Sequence, residues 1–391
     1  MTVGESQESR NYSMELDRLF KRFQEKNTSY SKIWIDRLLA PSSEGGAPCI
    51  CIWGTGSFGV DCCLRFFGDI GIPVAFFCDS DSERWGREVV NSVRCISPEE
   101  LGKKTDMRVV IAVSGHQREI AQRCKELGFL ETQIFSAPTY LFSWAANYRC
   151  TVDPAFRGRV MEGTKELLSS FGDDDRSKAL LVEIITRWLA DASAPMSQDG
   201  AQYFIPELPI RCDEAFVDAG AYDGDTLMSF IGHMPSGIPG ELIRYYAFEC
   251  DQSNCTALEE TIEQIDCPFA VEHYPIALWD QKAALHFSVI GTNSLVSSSG
   301  KNTVQADRLE HVLSGKPVTW IKMDIEGAEM RALKGCASII RRDKPRLSIC
   351  TYHNLEDLYE IPRYIKSLRS DYQFLLRHHS ELEFETVLYA Y

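Results

Sequence analysis

Short, almost wholly apolar runs recur along this chain, each followed by a glycine- or acid-rich turn and then by residues at helical spacing. CICIW (49–53), VAFFC (74–78) and VVIAV (109–113) are the runs of the first half. AFVDAG (215–220), RYYAFE (244–249) and VTWIKMD (318–324) follow in the second. An apolar run without alternation predicts a strand covered on both faces. Such strands alternating with helices build a parallel sheet between helical layers. The fold class expected is α/β, with two doubly wound Rossmann-like domains joined by a helical linker.

At 391 residues and 44% apolar content, the chain can bury two or three cores without disulfides or metal. Helical spacing over 14–40 gives a helical N-terminal extension, 1–46. The first α/β unit is 47–139, of nucleotide-binding type. A mostly helical linker or cap, 140–210, is split by the acidic turn 172–175. The second unit is 211–391. Its last two runs, FLLRHH and TVLYAY, are separated by a loop alone, which predicts an antiparallel hairpin closing the sheet.

Lys and Arg number 41 against 56 Asp and Glu, a net charge of −15. Phosphate binding runs on clustered basic residues, so nucleic acid is not the expected partner. No apolar run approaches the roughly 18 residues of a membrane span, and the charged first twenty residues are not a signal peptide. The expected location is the cytoplasm, without membrane insertion. Fourteen cysteines are scattered with no Cys-x-x-Cys pair, and no His-Glu-x-x-His occurs. They read as reduced core thiols, and no metal site is assigned.

Two turns carry candidate chemistry. In the first unit Gly54, Gly56 and Gly59 follow a strand and open a helix, and Asp79 ends the next strand 20 residues past Gly59. This is the layout of a dinucleotide fingerprint: glycines admit a pyrophosphate, the helix N-terminus attracts it, and the carboxylate takes a ribose. The same turn also suits a strand-to-helix connection kept for packing, and the pattern by itself does not choose.

The second turn, Asp218-Ala219-Gly220-Ala221-Tyr222-Asp223-Gly224-Asp225, is acidic where a phosphate would be repelled. It suits a cationic, hydroxyl-rich ligand such as S-adenosylmethionine. Glu249 ends the next strand, 29 residues past Gly220, and can accept both ribose hydroxyls. Further on, Asp324, Glu326 and Glu329 follow another strand, on which Lys322 and Asp324 share a face. Asp218, Asp223 and Asp324 each also suit a helix N-cap. Three acidic clusters at one carboxyl edge favour a ligand crevice.

FVDAGAYDGDT, YYAFECD, VQADRLEHVL and IKMDIEGAEMRALKG together resemble the FkbM family of S-adenosylmethionine-dependent methyltransferases, over about 200–391. The 49–136 block resembles a nucleotide-sugar-binding-type domain sometimes fused ahead of it. The resemblance implies a seven-stranded class I methyltransferase sheet whose last strand, TVLYAY, runs antiparallel. It implies that Asp218, Gly220 and Ala221, with Tyr222 and Asp223 of the same loop, line the methionine end. Glu249 and the adjacent Cys250, where the family usually has proline, would hold the ribose. Ala277, between Ile276 and Leu278 and near Asp280, would flank the adenine. Asp324 and Glu326 would lie beside the methyl group.

The expected activity is O-methylation of a sugar, glycan or glycosylated small molecule, in a monomer or a homo-oligomer. His353, after the strand LSICTY, is the expected general base, with Asp324 orienting the acceptor; Asp324 or Glu326 as base, or a cation held by them, are the alternatives. Asn293 and Ser294 are a candidate acceptor contact in a loop. Two other readings stand beside this one: an NAD(P)-dependent sugar-nucleotide oxidoreductase using the first domain, and a non-catalytic nucleotide-binding scaffold.

Overall fold

A computed structural model describes the chain except for residues 1–6, 27–28, 42–47, 91, 114, 191–194, 291–292 and 297–301. The first unit carries a six-stranded sheet. Its strands Ile50–Trp53, Val74–Cys78, Val93–Ile96, Arg108–Ile111 and Ile134–Ser136 are parallel, in the spatial order third, second, first, fourth, fifth. Val93–Ile96 was missed in the sequence, as was a short strand, Glu88–Val90, that adds an antiparallel edge. It is three residues long and half-buried, too short to carry a period.

The second unit is a seven-stranded sheet. Its strands are β1 (Ala215–Ala219), β2 (Arg244–Phe248), β3 (Ala270–Tyr274), β4 (Trp320–Met323), β5 (Arg346–Cys350), β6 (Phe374–His378) and β7 (Thr386–Ala390). They lie in the order β3-β2-β1-β4-β5-β7-β6. β7 is antiparallel to both neighbours, as the resemblance implied. The terminal hairpin therefore does not extend the edge; β7 inserts between β5 and β6. Every residue of β1, β4, β5, β6 and β7 is buried, which is why these strands read as mostly apolar runs without alternation. Between β3 and β4 a small side sheet is built from Ala277–Leu278, Ala283–Ile290, Asn293–Val296 and Asn302–Asp307. Asn293 and Ser294 thus stand on a strand rather than in a loop, and their side chains lie outside the described residues.

The segment read as linker forms the helices Leu141–Val152, Pro154–Ser170 and Asp175–Ala190. Asp153 caps the second by accepting from the N–H groups of Ala155 and Phe156, with Pro154 in the first turn. The last two of these helices pack against the second unit, and the first also packs against the segment Cys62–Phe67 of the first unit. Gly163 sits against the Tyr359 ring, where a Cβ would come within 2.6 Å. Arg377 on β6 pairs with Asp174, and Glu383 accepts from the N–H groups of Phe142 and Ser143. One continuous core runs from Leu16 in the N-terminal helix Gln7–Glu25 to Ala390 in β7. No helix among the described residues is long and apolar enough to cross a membrane.

Candidate active site

The turns after β1, β2 and β4 meet over the carboxyl edge of the sheet, where a doubly wound fold places its ligands. The closest approach is between Gly220 and Asp324. A Cβ on Gly220 would come 1.9 Å from the Asp324 carbonyl oxygen, and the residue has φ +80°. Only glycine lets these two turns touch.

Above this contact opens a cavity of about 370 Å³. Of the residues expected at the cofactor and the methyl group, Gly220, Tyr222, Glu249, Cys250, Ala277, Asp324 and Glu326 are on its wall. Asp218, Ala221, Asp223 and His353 are not. Asp218 and Ala221 are fully buried beneath the wall, and Asp223 faces outward. Asp218 is spent on an internal ion pair, 2.9 Å from Lys322 Nζ, and accepts from the Tyr245 hydroxyl at 2.6 Å. Burial opposes the charge on Lys322, but the Asp218 and Asp324 carboxylates outweigh it and hold its pKa raised. None of Asp218, Asp223 and Asp324 is a helix N-cap; Gly224 and Ala328 occupy those positions.

Glu249 is fixed from below. Its Oε1 accepts from the N–H groups of Cys250 and Asp251, both at 2.8 Å, and its Oε2 from Tyr222 N–H at 3.0 Å. Burial pushes its pKa up, and those three donors pull against the rise. Phe248 stacks on Tyr274, and Ile276, Ala277 and Leu278 give the neighbouring wall its apolar character.

At the other end the Tyr203 hydroxyl donates to Asp324 Oδ2 at 2.7 Å and the Tyr352 hydroxyl to Oδ1 at 3.2 Å. Gln202 donates to Glu385, which also receives Tyr352 at 3.4 Å. Burial raises the pKa of Asp324, but His353, Lys322 and the two tyrosines outweigh it and leave it lowered. Burial and the Asp324 charge push Glu385 up to about 7. Six non-glycine residues among those described have positive φ, and Tyr203, Tyr222, Glu326 and Glu385 are all on this wall. Strained backbone concentrates where a fold must aim side chains into a site.

His353 follows β5 as predicted, but its side chain has no exposure to the cavity. It sits behind the carboxylates, with Nε2 3.5 Å from both Asp324 Oδ1 and Glu326 Oε2 and Nδ1 2.8 Å from Glu329 Oε1. It can position those groups and is not on the cavity wall. Sequence reasoning gave no role to Gln202, Tyr203, Tyr352 and Glu385. The only signals for them were the Gln202-Tyr203 pair and the place of Tyr352 just beyond β5.

In the first unit, Gly54 (φ +121°) and Gly59 are explained by packing: a Cβ would come 2.6 Å from the Ala112 carbonyl or 2.0 Å from that of Gly54. Gly56 meets nothing. Asp79 closes the loop, accepting from Thr55 N–H at 3.0 Å, the Thr55 hydroxyl at 2.6 Å and Asp81 N–H at 3.0 Å.

Residues 218–376 match the family model for the methyltransferase FkbM domain. This part of the chain is an FkbM-type methyltransferase domain. A crystal structure of a methyltransferase FkbM from Methylobacillus flagellatus KT is similar over 97% of this chain and 100% of that one, at 21% identity and a TM-score of 0.57. That likeness extends the shared fold through the first unit and the central helices. A putative rRNA-methylase from Clostridium thermocellum is similar over 47% of this chain and 88% of that one, at 10% identity and a TM-score of 0.31. No curated protein matches the chain. Gln202, Tyr203 and Glu385 lie outside the span that matches the FkbM domain, although they complete its cavity.

Proposed function

We propose that the FkbM domain binds S-adenosylmethionine in this cavity and methylates an oxygen of a neutral, hydroxyl-bearing acceptor of the sugar or glycan class. The observation that carries the reading is one cavity with the Glu249 carboxylate on one wall and Asp324 and Glu326 on another. The wall fits the cofactor. A carboxylate beside an apolar strip suits a ribose next to an adenine, and acidic neighbours suit an ammonium and a sulfonium. When bound, the cofactor supplies an electrophilic methyl group on a good leaving group.

What the chain must add is alignment of the acceptor oxygen and a place for its proton. Asp324 is suited to both tasks, because its tyrosine donors and lowered pKa keep it ionised on the wall. The base role expected of His353 passes to the wall carboxylates, Asp324 or Glu326, with His353 positioning them. Lys322 is the one cation on the wall among the described residues, and it is paired with Asp218. An anionic acceptor would therefore meet uncompensated carboxylates, which favours a neutral one.

Titration calorimetry with S-adenosylhomocysteine tests the reading. Binding to the wild type, weakened at least about tenfold in Glu249→Ala, is expected, since a hydrogen bond to a charged group contributes about 1.5–3 kcal/mol. No binding by the folded wild type, or unchanged affinity in the variant, would place the cofactor elsewhere.

A further inference from the structure

Asp324, Glu329 and His353 each offer a donor atom within 4.8 Å of the others, and Glu326 adds a fourth group 3.5 Å from His353 Nε2. The histidine is 4% exposed, and Glu329 is fully buried. Two ligands of one first-row cation, with bonds of about 2.0–2.2 Å, stand roughly 3.0–3.5 Å apart. The Nε2 atom lies 3.5 Å from an oxygen of each wall carboxylate, at the long end of that range. The other ring nitrogen is 2.8 Å from Glu329 Oε1, the carboxylate partner that metal-binding imidazoles commonly have behind them.

The backbone supports the same arrangement. Glu329 accepts from Ile325 N–H at 2.9 Å, which pins the turn that carries Asp324 and Glu326. Glu326 takes φ +57° to face the cavity. Asn354, next to His353, donates to the Gly327 carbonyl at 3.2 Å and locks the two turns together.

We infer that Asp324, Glu326 and His353 form a binding site for a divalent transition-metal ion at the acceptor end of the cavity, with Glu329 holding the imidazole from behind. One nitrogen and two carboxylate ligands suit Mn²⁺ or Zn²⁺ better than Ca²⁺ or Mg²⁺, which prefer all-oxygen shells. The remaining coordination positions open into the cavity. An acceptor hydroxyl bound there would pass its proton more readily to a Glu326 or Asp324 carboxylate oxygen that does not hold the ion, because a bound cation lowers the pKa of an oxygen ligand. The sequence patterns for metal sites miss these residues because two turns, after β4 and after β5, supply them.

Mn²⁺ is the probe, since the chain's cysteine thiols would compete for Zn²⁺. Full-length protein freed of metal with EDTA is titrated with Mn²⁺ alone and followed by the paramagnetic resonance of free Mn²⁺. One ion per chain is expected. Affinity should fall at least tenfold in Asp324→Asn and Glu326→Gln, and about 10–100-fold in Glu329→Gln. Glu326 is on the cavity wall, so its variant keeps the test open if Asp324→Asn fails to fold. Absence of binding by the folded wild type, or wild-type affinity in folded Glu326→Gln, would overturn the proposal. No cofactor is present, so the result is distinguishable from failure of the methyl-transfer reading.

Discussion

Lys322 Nζ lies 2.9 Å from Asp218 Oδ1, and both side chains are buried, Asp218 beneath the cavity wall and Lys322 at it. The ammonium also donates to the Gly220 carbonyl at 2.7 Å, so one side chain ties β4 to β1 and to the turn that follows it. The pair serves the shape of the site rather than contact with a ligand.

Lys322→Met should therefore cost about 3–5 kcal/mol of stability, because it leaves Asp218 as an uncompensated buried charge. Urea unfolding measures this. The double variant Asp218→Asn, Lys322→Met should recover part of the loss, since it removes the orphaned charge along with its partner.

Gly220→Ala places a methyl group against the Asp324 carbonyl in a left-handed backbone position. The backbone strain contributes about 1–3 kcal/mol, before the clash is counted. A lowered melting temperature with weakened S-adenosylhomocysteine binding is expected. A variant as stable as wild type would mean the two turns can part at little cost.

Tyr203→Phe removes the shorter of the two hydroxyl bonds to Asp324. A hydrogen bond to a charged group contributes about 1.5–3 kcal/mol, so turnover should fall about ten- to a hundredfold. The acid limb of the pH–rate profile should move to higher pH, since a donor that lowered the Asp324 pKa is gone. Adenosyl affinity should stay close to wild type. Steady-state kinetics across pH separate these outcomes.

Glu385 has a folded pKa of about 7, above the ordinary value of 4.5, because of burial and then the Asp324 charge. A group raised in this way adds stability that is full below about pH 4.5 and is lost as pH rises through about 7. Glu385→Gln mimics the protonated form. Its melting temperature in metal-free protein should change less than wild type between pH 5 and pH 8, and should exceed wild type at pH 8. Parallel thermal scans in which the two proteins show the same pH dependence would mean that Glu385 is ionised throughout.

The alternation of buried strands and helices is written in local composition, so the sequence by itself determined the α/β class and nearly every strand of both sheets. It also determined which turns carry Glu249, Asp324 and Glu326, because residues at a strand's carboxyl end must emerge at the sheet edge. Tertiary structure decided what those acids do. Asp218 and Asp324 look alike in sequence, each ending an apolar run, yet one is buried against Lys322 and the other faces the cavity. Register decides between them: Lys322 pairs with Asp218 across β4 and β1, and no local pattern encodes a cross-strand neighbour. His353 was legible as a strand-end histidine, but its burial behind three carboxylates depends on turns far apart in the chain. Tyr203 and Glu385 come from outside the strands that announce the site. Their backbones reach it through positive φ angles, a conformation that tertiary packing imposes and that neither residue type signals.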